Sequence, residues 1–494
     1  MNSKYSVFFL FILIATALPS VTKGQDKTRS LGTLTLKECI KIAEKHSPIA
    51  KSHRYDLIAS KWQYREYHAD LLPSLTLSGN APNYNKDIFS NTLDNGTTVF
   101  SSRTQSNANA SLSIRENLLP TGGFLSLSSG LTRLGIFNGE NSYLWKSNPL
   151  QLSIHQPLFQ YNNLKWRHRL EPLQYKIAKK QFAQQMENLA VRVTNRFFDV
   201  VLSKINKENA KFNVSRNDSI YQISKGRYNI GKIAENSLLQ TELAYHNAQQ
   251  ALSKARINYN RRLNNFKILL GYPTSVKLNL KEPKDMPVIS VNIEKAKRLA
   301  MQNNSQSLSY RLDKLQADQS LAQARSNGGF QATISANYGL NQTSSSFDAL
   351  YKHPQNQQYV SVDFNLPIYN WGKHRAQIKS AQNEEQSATN NIIYQRRQFI
   401  QSVQYRVKNF LQLRSQALLA AQSDTIAQRR YQVAENRYRI GKISITDLFN
   451  AQNDKDLARQ QYIQALRDFW TGLYNLRQLT LYNFKEDRPV RYTR

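Results

Sequence analysis

The residue types that carry out catalysis or bind metals are few in this chain and do not cluster. The 494-residue sequence has eight histidines and one cysteine, Cys39. The histidines lack the His-Glu-x-x-His spacing that binds zinc, and no carboxylates are paired at metal-ligand spacing. Gly122-Gly123 lacks the Lys-Ser or Lys-Thr that completes a phosphate-binding loop, and no Gly-x-Ser-x-Gly motif is present. We therefore expect no enzymatic activity, no cofactor and no metal site.

A strong positive charge is the main chemical feature of the composition. The chain has 67 Lys and Arg against 34 Asp and Glu, a formal net charge of +33. This charge has three interpretations: it coats exposed helix faces, it anchors the chain to anionic lipid headgroups, or it lines a lumen that favours anionic solutes. The mean hydropathy of −0.59 excludes a polytopic helical membrane protein. A single cysteine excludes a disulfide framework within one chain.

The first 24 residues predict a secretory signal peptide. Lys4 supplies the positive charge, residues 7–18 form a short apolar segment, and small and polar residues follow as far as Gly24. An uncleaved N-terminal anchor is the alternative. Either way the protein is expected to leave the cytoplasm, which disfavours nucleic acid as the partner of its positive charge.

The mature chain contains two related halves, which we place at 25–280 and 281–494. The segment Arg227-Tyr-Asn-Ile-Gly-Lys-Ile233 matches Arg437-Tyr-Arg-Ile-Gly-Lys-Ile443 at an offset of 210 positions. Earlier segments match at an offset of 257, so the first half holds 47 additional residues between about 81 and 150. The sequence therefore predicts an internal two-fold duplication with an insertion in the first half.

Each half predicts one helix, then strands, then two long helices joined by a short tip. The single helices are predicted over 34–70 and 292–326. At 1.5 Å per residue the longer paired helices span about 90 Å, and no compact domain buries a rod of that length. The paired helices are 166–228 with 234–271 and 375–439 with 445–482, their tips contain Gly231 and Gly441, and a short basic tail ends the chain.

The returning helices carry a heptad pattern that predicts a coiled-coil seam. Residues spaced by seven are followed, three positions later, by mostly small residues that allow helices to approach closely. A strict period of seven keeps one face in contact with a neighbour along the rod. The pattern also fits an ordinary amphipathic bundle helix. The seam positions are Leu238, Thr241, Tyr245, Ala248, Leu252, Ala255, Tyr259, Arg262, Phe266 and Leu269, and Leu448, Ala451, Lys455, Ala458, Tyr462, Ala465, Phe469, Gly472, Leu476 and Leu479.

Apolar and small polar residues alternate within the regions 74–158 and 331–366, which predicts strands, with a turn at 120–123. Such strands have one apolar face and one wet face, as in a transmembrane β-barrel or a soluble antiparallel sheet. A small barrel needs about eight strands. This chain offers four, or six with the insertion. A barrel is therefore expected to be shared between chains, and three chains would give twelve or eighteen strands.

Taken together, these features resemble the TolC family of outer-membrane efflux proteins. The resemblance covers nearly all of the mature chain and is strongest at 34–48, at the Pro157 and Pro367 junctions and at 437–448. It implies a mainly α fold with a membrane β part: a homotrimer with a shared β-barrel in the outer membrane and a long coiled-coil α-barrel across the periplasm. It also implies docking to a periplasmic adaptor (membrane fusion) protein that is linked to an inner-membrane pump or ABC exporter.

The resemblance also implies roles for residues at the two tips. Family tips carry a glycine turn followed by acidic residues that narrow the pore. Tyr438 and Asp447 match this pattern, and Asn450 occupies the next acidic position, so these three are the expected pore constriction. The alternative for Asp447 is a solvated first-turn residue stabilised by the helix dipole. The expected adaptor-docking residues are Arg227, Gly231, Lys232, Arg437, Gly441 and Lys442.

We predict a passive outer-membrane channel of a tripartite efflux or type I secretion system. Its β part would be surrounded by outer-membrane lipid, its helices would extend into the periplasm, and nucleic acid would not be a partner. The alternative is a secreted coiled-coil scaffold or adhesion protein without a pore.

Overall fold

Long helices dominate the architecture of the chain. The computed structural model describes residues 30–137, 141–283 and 286–492, so the predicted signal peptide, 1–24, lies outside the described residues. The helices are α1 (Leu36–His46), α2 (Pro48–Ala69), α3 (Asn163–Asn229), α4 (Glu235–Leu270), α5 (Ile293–Asn303), α6 (Ser305–Asn327), α7 (Lys373–Arg439) and α8 (Ile445–Thr480).

Two helical hairpins of equal size form the body of the molecule. The helices α3 and α7 have 67 residues each, about 100 Å, and the returning helices α4 and α8 have 36 residues each. Their bounds differ from the predicted ones by three residues or fewer. The hairpin α3–α4 packs against α7–α8 through α3 and α8. All predicted seam positions of α4 and α8 are buried or half-buried, so the seam faces neighbouring helices.

The two shorter helical segments are broken, where single helices over 34–70 and 292–326 were predicted. Ser47 separates α1 from α2, and its extended ψ of 134° follows from the restriction that Pro48 places on the preceding residue. Its hydroxyl accepts a hydrogen bond from the N–H of Ile49 at 3.3 Å and caps α2. Asn304, with a ψ of 146°, separates α5 from α6 without a following proline, and its side-chain oxygen caps α6 by accepting from the N–H of Gln306 at 2.9 Å.

A six-stranded antiparallel sheet forms the β part. Its strand order is β2-β3-β4-β5-β7-β8, and within the described residues the outer edges of β2 and β8 have no paired strand. A parallel pair, β1–β6, and a short antiparallel pair, β9–β10, lie outside this sheet. The strands are β1 (Ser30–Leu34), β2 (Ser74–Thr92), β3 (Thr98–Asn117), β4 (Phe124–Ile136), β5 (Ser142–Leu158), β6 (Lys277–Leu280), β7 (Gln331–Ser344), β8 (Gln355–Asn365), β9 (Tyr482–Asn483) and β10 (Arg488–Pro489).

The hairpin β2–β3 extends beyond the rest of the sheet. These strands have 19 and 20 residues, whereas β8 has 11. Among the described residues, the register of β3 with β4 runs from Gln105 to Asn117, whereas the β2–β3 pairing continues as far as Thr92 and Thr98. None of the helices among the described residues combines the length and apolar character that crossing a membrane demands.

A buried ion pair ties the C-terminal tail to the helical core. Glu187 of α3 has no exposed surface, and Arg477 of α8 donates a hydrogen bond to its Oε1 at 2.6 Å. The hydroxyl of Tyr492 donates to the same oxygen at 2.8 Å. Burial raises the pKa of the Glu187 carboxyl, and the charge of Arg477 opposes that rise.

Candidate functional site

The two hairpin tips have the same backbone geometry. Each glycine has a positive φ, +67° at Gly231 and +76° at Gly441, a conformation that glycine adopts without strain. Its N–H donates to the carbonyl three residues earlier, and the following lysine N–H donates to the carbonyl five residues earlier, which closes the helix end. These bonds, all 2.9 Å long, are Gly231 to Tyr228, Lys232 to Arg227, Gly441 to Tyr438 and Lys442 to Arg437.

Most of the predicted docking residues lie on the open surface of the tips. Gly231, Lys232, Arg437, Gly441 and Lys442 are exposed. The sequence analysis overlooked the isoleucine that precedes each glycine: Ile230 and Ile440 are both 66% exposed. The signal was the isoleucine shared by the two matching tip segments. Each tip therefore presents an apolar side chain beside a cationic one.

Arg227 connects the first tip to the second. Its guanidinium lies over the ring of Tyr438, 5.7 Å from the ring centroid, and its Nη2 donates to the carbonyl oxygen of Arg439 at 3.5 Å. Tyr438 is buried in a cluster with Tyr431, Leu448 and Ala451. Within one chain, Tyr438 therefore packs between the hairpins rather than facing open space.

Asp447 caps the first turn of α8. The N–H and the hydroxyl of Ser444 donate to its Oδ2 at 3.2 and 2.7 Å, and the Asp447 N–H donates to the Ser444 hydroxyl at 3.1 Å. These bonds, with a smaller contribution from Arg437, lower the pKa of the exposed carboxyl. Asn450 is exposed one turn further along α8. The spacing Ser-x-x-Asp at 444–447 was the sequence signal for this capping box.

An ion-pair cluster joins the two hairpins above the tips. Arg216 of α3 pairs with Glu435 of α7, and Glu435 also accepts a hydrogen bond from Arg439 at 2.9 Å. The sequence analysis overlooked this cluster because Arg216 and Glu435 lie far apart in the chain and no motif links them.

In the described part of the chain, no group of three His, Cys, Asp or Glu residues is placed to hold a metal ion.

One face of the six-stranded sheet is a continuous apolar surface. The registers place alternate apolar residues of all six strands on the same face, and their side chains are exposed in the single chain. This band consists of Leu75, Leu77, Leu112, Ile114, Leu125, Leu127, Leu150, Leu152, Ile154, Tyr338, Val360, Val362 and Phe364.

The opposite face of the sheet is polar. It carries mostly Ser, Thr, Asn and Gln, with Arg115 stacked on the ring of Phe124 at 3.8 Å and Phe124 stacked on His155 at 5.0 Å. Exposed aromatic residues lie at both ends of the sheet. Next to the helices are Phe159, Tyr369 and Trp371, and at the far end are Tyr143, Phe347 and Tyr351. An apolar band between aromatic girdles is typical of outer-membrane strands.

Comparison with known proteins assigns the family. The family model described as "Outer membrane efflux protein" matches residues 40–272 and 297–480, most of the chain. The chain belongs to the outer membrane efflux protein family. The resemblance to the TolC family is thereby confirmed, and the chain is an outer-membrane efflux protein.

Relatives of known sequence and structure agree with this assignment. Outer membrane protein TolC of Escherichia coli (strain K12) is 24% identical over 383 residues, 74% of each chain. The structure of the CmeC outer membrane channel of Campylobacter jejuni matches with a TM-score of 0.67 at 15% identity, and the match covers 93% of this chain and 87% of the CmeC chain. The structure of VceC from Vibrio cholerae matches with a TM-score of 0.63 at 13% identity, and the match covers 92% of this chain and 97% of the VceC chain. The fold of this outer membrane efflux protein is therefore shared with solved channels.

Proposed function

We propose that three copies of this chain form a passive exit duct through the outer membrane. The observation that carries this proposal is the apolar band on one face of the sheet and the polar lining on the other. Contiguous exposed apolar patches beyond a few hundred Å² are rare on soluble monomers and mark membrane or protein contacts. A barrel with lipid outside and water inside covers one face and hydrates the other. A secreted scaffold without a pore would leave the band exposed to water.

The open edges of β2 and β8 support closure by neighbouring copies. An unpaired strand edge in lipid leaves backbone groups without partners, at a cost of several kcal/mol each. Three copies contribute eighteen strands, which at about 4.8 Å spacing and about 40° tilt give a circumference of about 110 Å. Twelve long helices, about 9 Å apart, give a similar circumference. A twelve-strand barrel would measure only about 75 Å around.

The helical tips are the proposed docking surface for a periplasmic adaptor protein. Ile230 and Ile440 offer exposed apolar anchors, and Lys232, Arg437 and Lys442 surround them with positive charge. The adaptor would link the duct to an inner-membrane pump or ABC exporter, which supplies the energy. Three copies of Asp447, with Asn450 beside them, would form the narrow end of the duct.

Purified protein tests the assembly directly. Light scattering on detergent extracts should give about three times the mass of the mature chain, and a structure of the particle by electron microscopy should show a barrel of eighteen strands. The same preparation should form ion channels in planar bilayers. A folded, monodisperse monomer would overturn the proposed trimer. A trimer that cannot be cross-linked to an adaptor through cysteines at Ile230 or Ile440 would overturn the docking surface.

A further inference from the structure

A cavity of about 460 Å³ lies between α3, α4 and α8, above the tips. Its composition is unusual: of fourteen lining residues, eight are Asn or Gln, four are Ala, and the others are Phe449 and Asp456. Amide side chains thus supply most of its polar surface, while alanines and one aromatic ring supply the apolar part. Cavities of this size hold small organic molecules in many proteins.

Four amide oxygens around this cavity have no hydrogen-bond donor among the described residues. They are the side-chain oxygens of Asn206, Asn213, Asn217 and Gln452. Asn217 and Gln452 are only 7% and 6% exposed, so bulk water does not hydrate them freely. Buried acceptors are paired in nearly all native proteins, because an unpaired one costs free energy. Their concentration in one place therefore indicates a ligand that donates hydrogen bonds.

The orientation of two of these amides is fixed by their own nitrogen atoms. The Nδ2 of Asn213 donates to Asp456 Oδ2 at 3.0 Å, and the Nδ2 of Asn217 donates to the carbonyl oxygen of Ala244 at 3.2 Å. Both partners only accept hydrogen bonds. A flip of either amide would therefore place two acceptors against each other. The two Oδ1 atoms remain as free acceptors.

The charge around the cavity limits the class of ligand. The Oδ2 of Asp456 accepts a hydrogen bond from Asn213, whereas its Oδ1 lies 3.4 Å from the ammonium of Lys455 and accepts no hydrogen bond among the described residues. Lys455 lies over the rings of Phe212 and Tyr431, at 5.0 and 4.5 Å, and is not part of the cavity lining. The site therefore offers neutral amide oxygens and one carboxylate oxygen without a hydrogen-bond donor, a set that favours a cationic donor. Calcium sites gather several carboxylates, so a single carboxylate among neutral amides fits a divalent metal poorly.

We propose that this cavity binds a primary ammonium group on an aromatic or alkyl body. The ammonium carries three N–H donors for the unpaired amide oxygens. The apolar body would lie against Phe449 and the alanines of α3 and α4. Binding itself is independent of the proposed duct, whereas a role for the site in export of such amines rests on that proposal.

The test measures binding to the full-length protein in detergent micelles, with empty micelles as the blank. The probe is 2-phenylethylammonium. Its N,N,N-trimethyl analogue keeps the charge and the ring but has no N–H donor. Gln452→Met and Asn206→Leu remove unpaired acceptors at similar side-chain volume. Gln461→Met is the matched control, because Gln461 is exposed on the same helix and does not line the cavity.

The probe should bind saturably, and the trimethyl analogue at least tenfold more weakly. Gln452→Met and Asn206→Leu should each weaken probe binding at least tenfold without lowering the melting temperature, and Gln461→Met should leave it unchanged. Equal binding of the two compounds, unaffected variants, or soaked crystals with only water in the cavity would overturn the inference. Channel conductance of the same preparation tests the duct separately, so the two proposals fail independently.

Discussion

At the scale of single residues, Asp447 has a structural partner as well as a proposed position in the pore. The capping box with Ser444 favours its charged form and lowers its pKa from the ordinary 3.8. A lowered folded-state pKa contributes stability above the ordinary pKa and loses it as the pH falls through the folded value. A ring of three carboxylates would act in the opposite direction, because like charges raise one another's pKa.

Three substitutions separate the capping role of Asp447 from its proposed role in the pore. Ser444→Ala removes the cap but keeps the carboxylate, and should cost about 1 kcal/mol of helix stability without changing ion selectivity. Asp447→Asn removes the charge, and should reduce block by multivalent cations in planar-bilayer recordings. Asn450→Asp should increase that block. If Asp447→Asn and Ser444→Ala behave alike in the bilayer, Asp447 acts only as a cap.

The buried pair of Glu187 and Arg477 gives a second prediction at this scale. Arg477→Met should destabilise the protein by about 3–5 kcal/mol, because it leaves a buried carboxylate without its partner. The double variant with Glu187→Met should recover most of that loss. The raised pKa of Glu187 sets the pH dependence: acid protonates and neutralises the orphaned carboxyl, so the penalty of Arg477→Met should shrink as the pH falls towards 5. Denaturant melts at pH 8 and pH 5 measure it, and a penalty independent of pH would contradict the account.

At the scale of elements, the sequence predicted the long helices well because their signals are local and repeated. The heptad seam, the rarity of interior prolines and the tip glycines determine where α3, α4, α7 and α8 begin and end. The break at Ser47 was missed, although Pro48 follows it. Strand β2 extends well beyond its alternating segment, which ends at Gly79. The remainder, as far as Thr92, is mainly polar and largely exposed, so it has no period-two signal in the sequence.

The tip turns give an element-scale prediction. Nothing lies within 4 Å of a Cβ added at Gly231 or Gly441, so a substitution there acts through the backbone alone. Replacing both glycines with valine should cost about 1–2 kcal/mol at each tip, because the left-handed conformation disfavours residues with a Cβ. Export and adaptor cross-linking should be lost while the trimer and its membrane insertion remain.

Asparagine is the matched control for these turns. Asn tolerates the left-handed conformation better than other residues. Gly231→Asn with Gly441→Asn should therefore retain docking and export. Normal export by the double valine variant would refute the docking assignment. Loss of the trimer in that variant would show that the tips stabilise assembly instead.

At the scale of the whole molecule, the alternating faces of the sheet determine how the chain meets its surroundings. Leu152 and Ser153 are neighbours on β5 that point to opposite faces. In the proposed barrel, Leu152→Arg places a charge in lipid and should cost about 2–4 kcal/mol near the bilayer midplane. Ser153→Arg places the same charge in the water-filled lumen and should cost far less. Unfolding in lipid vesicles measures both, and equal costs would exclude a lipid-facing band.

Composition alone could not predict this whole-molecule arrangement. A charge of +33 fits a coated rod, a lipid anchor or an anion-favouring lumen equally well. The single chain shows which face of the sheet is apolar, and in the proposed trimer its two open strand edges pair with neighbouring copies. The internal duplication stays a prediction from the sequence, and the equal lengths of the two hairpins support it.

The length of the β2–β3 hairpin has a practical consequence for work with living cells. At about 3.3 Å per residue these strands are about 60 Å long, and at about 40° tilt they rise about 45 Å, well beyond the roughly 25 Å apolar height of an outer-membrane barrel. With the sheet in the outer membrane as proposed, the turn at Asp94–Gly96 stands well outside the bacterium. Gly96 has a φ of +81° and open space around it. An epitope tag inserted there would be readable by antibodies on intact, unpermeabilised cells, which makes the turn a natural target for surface labelling, phage attachment and immune recognition.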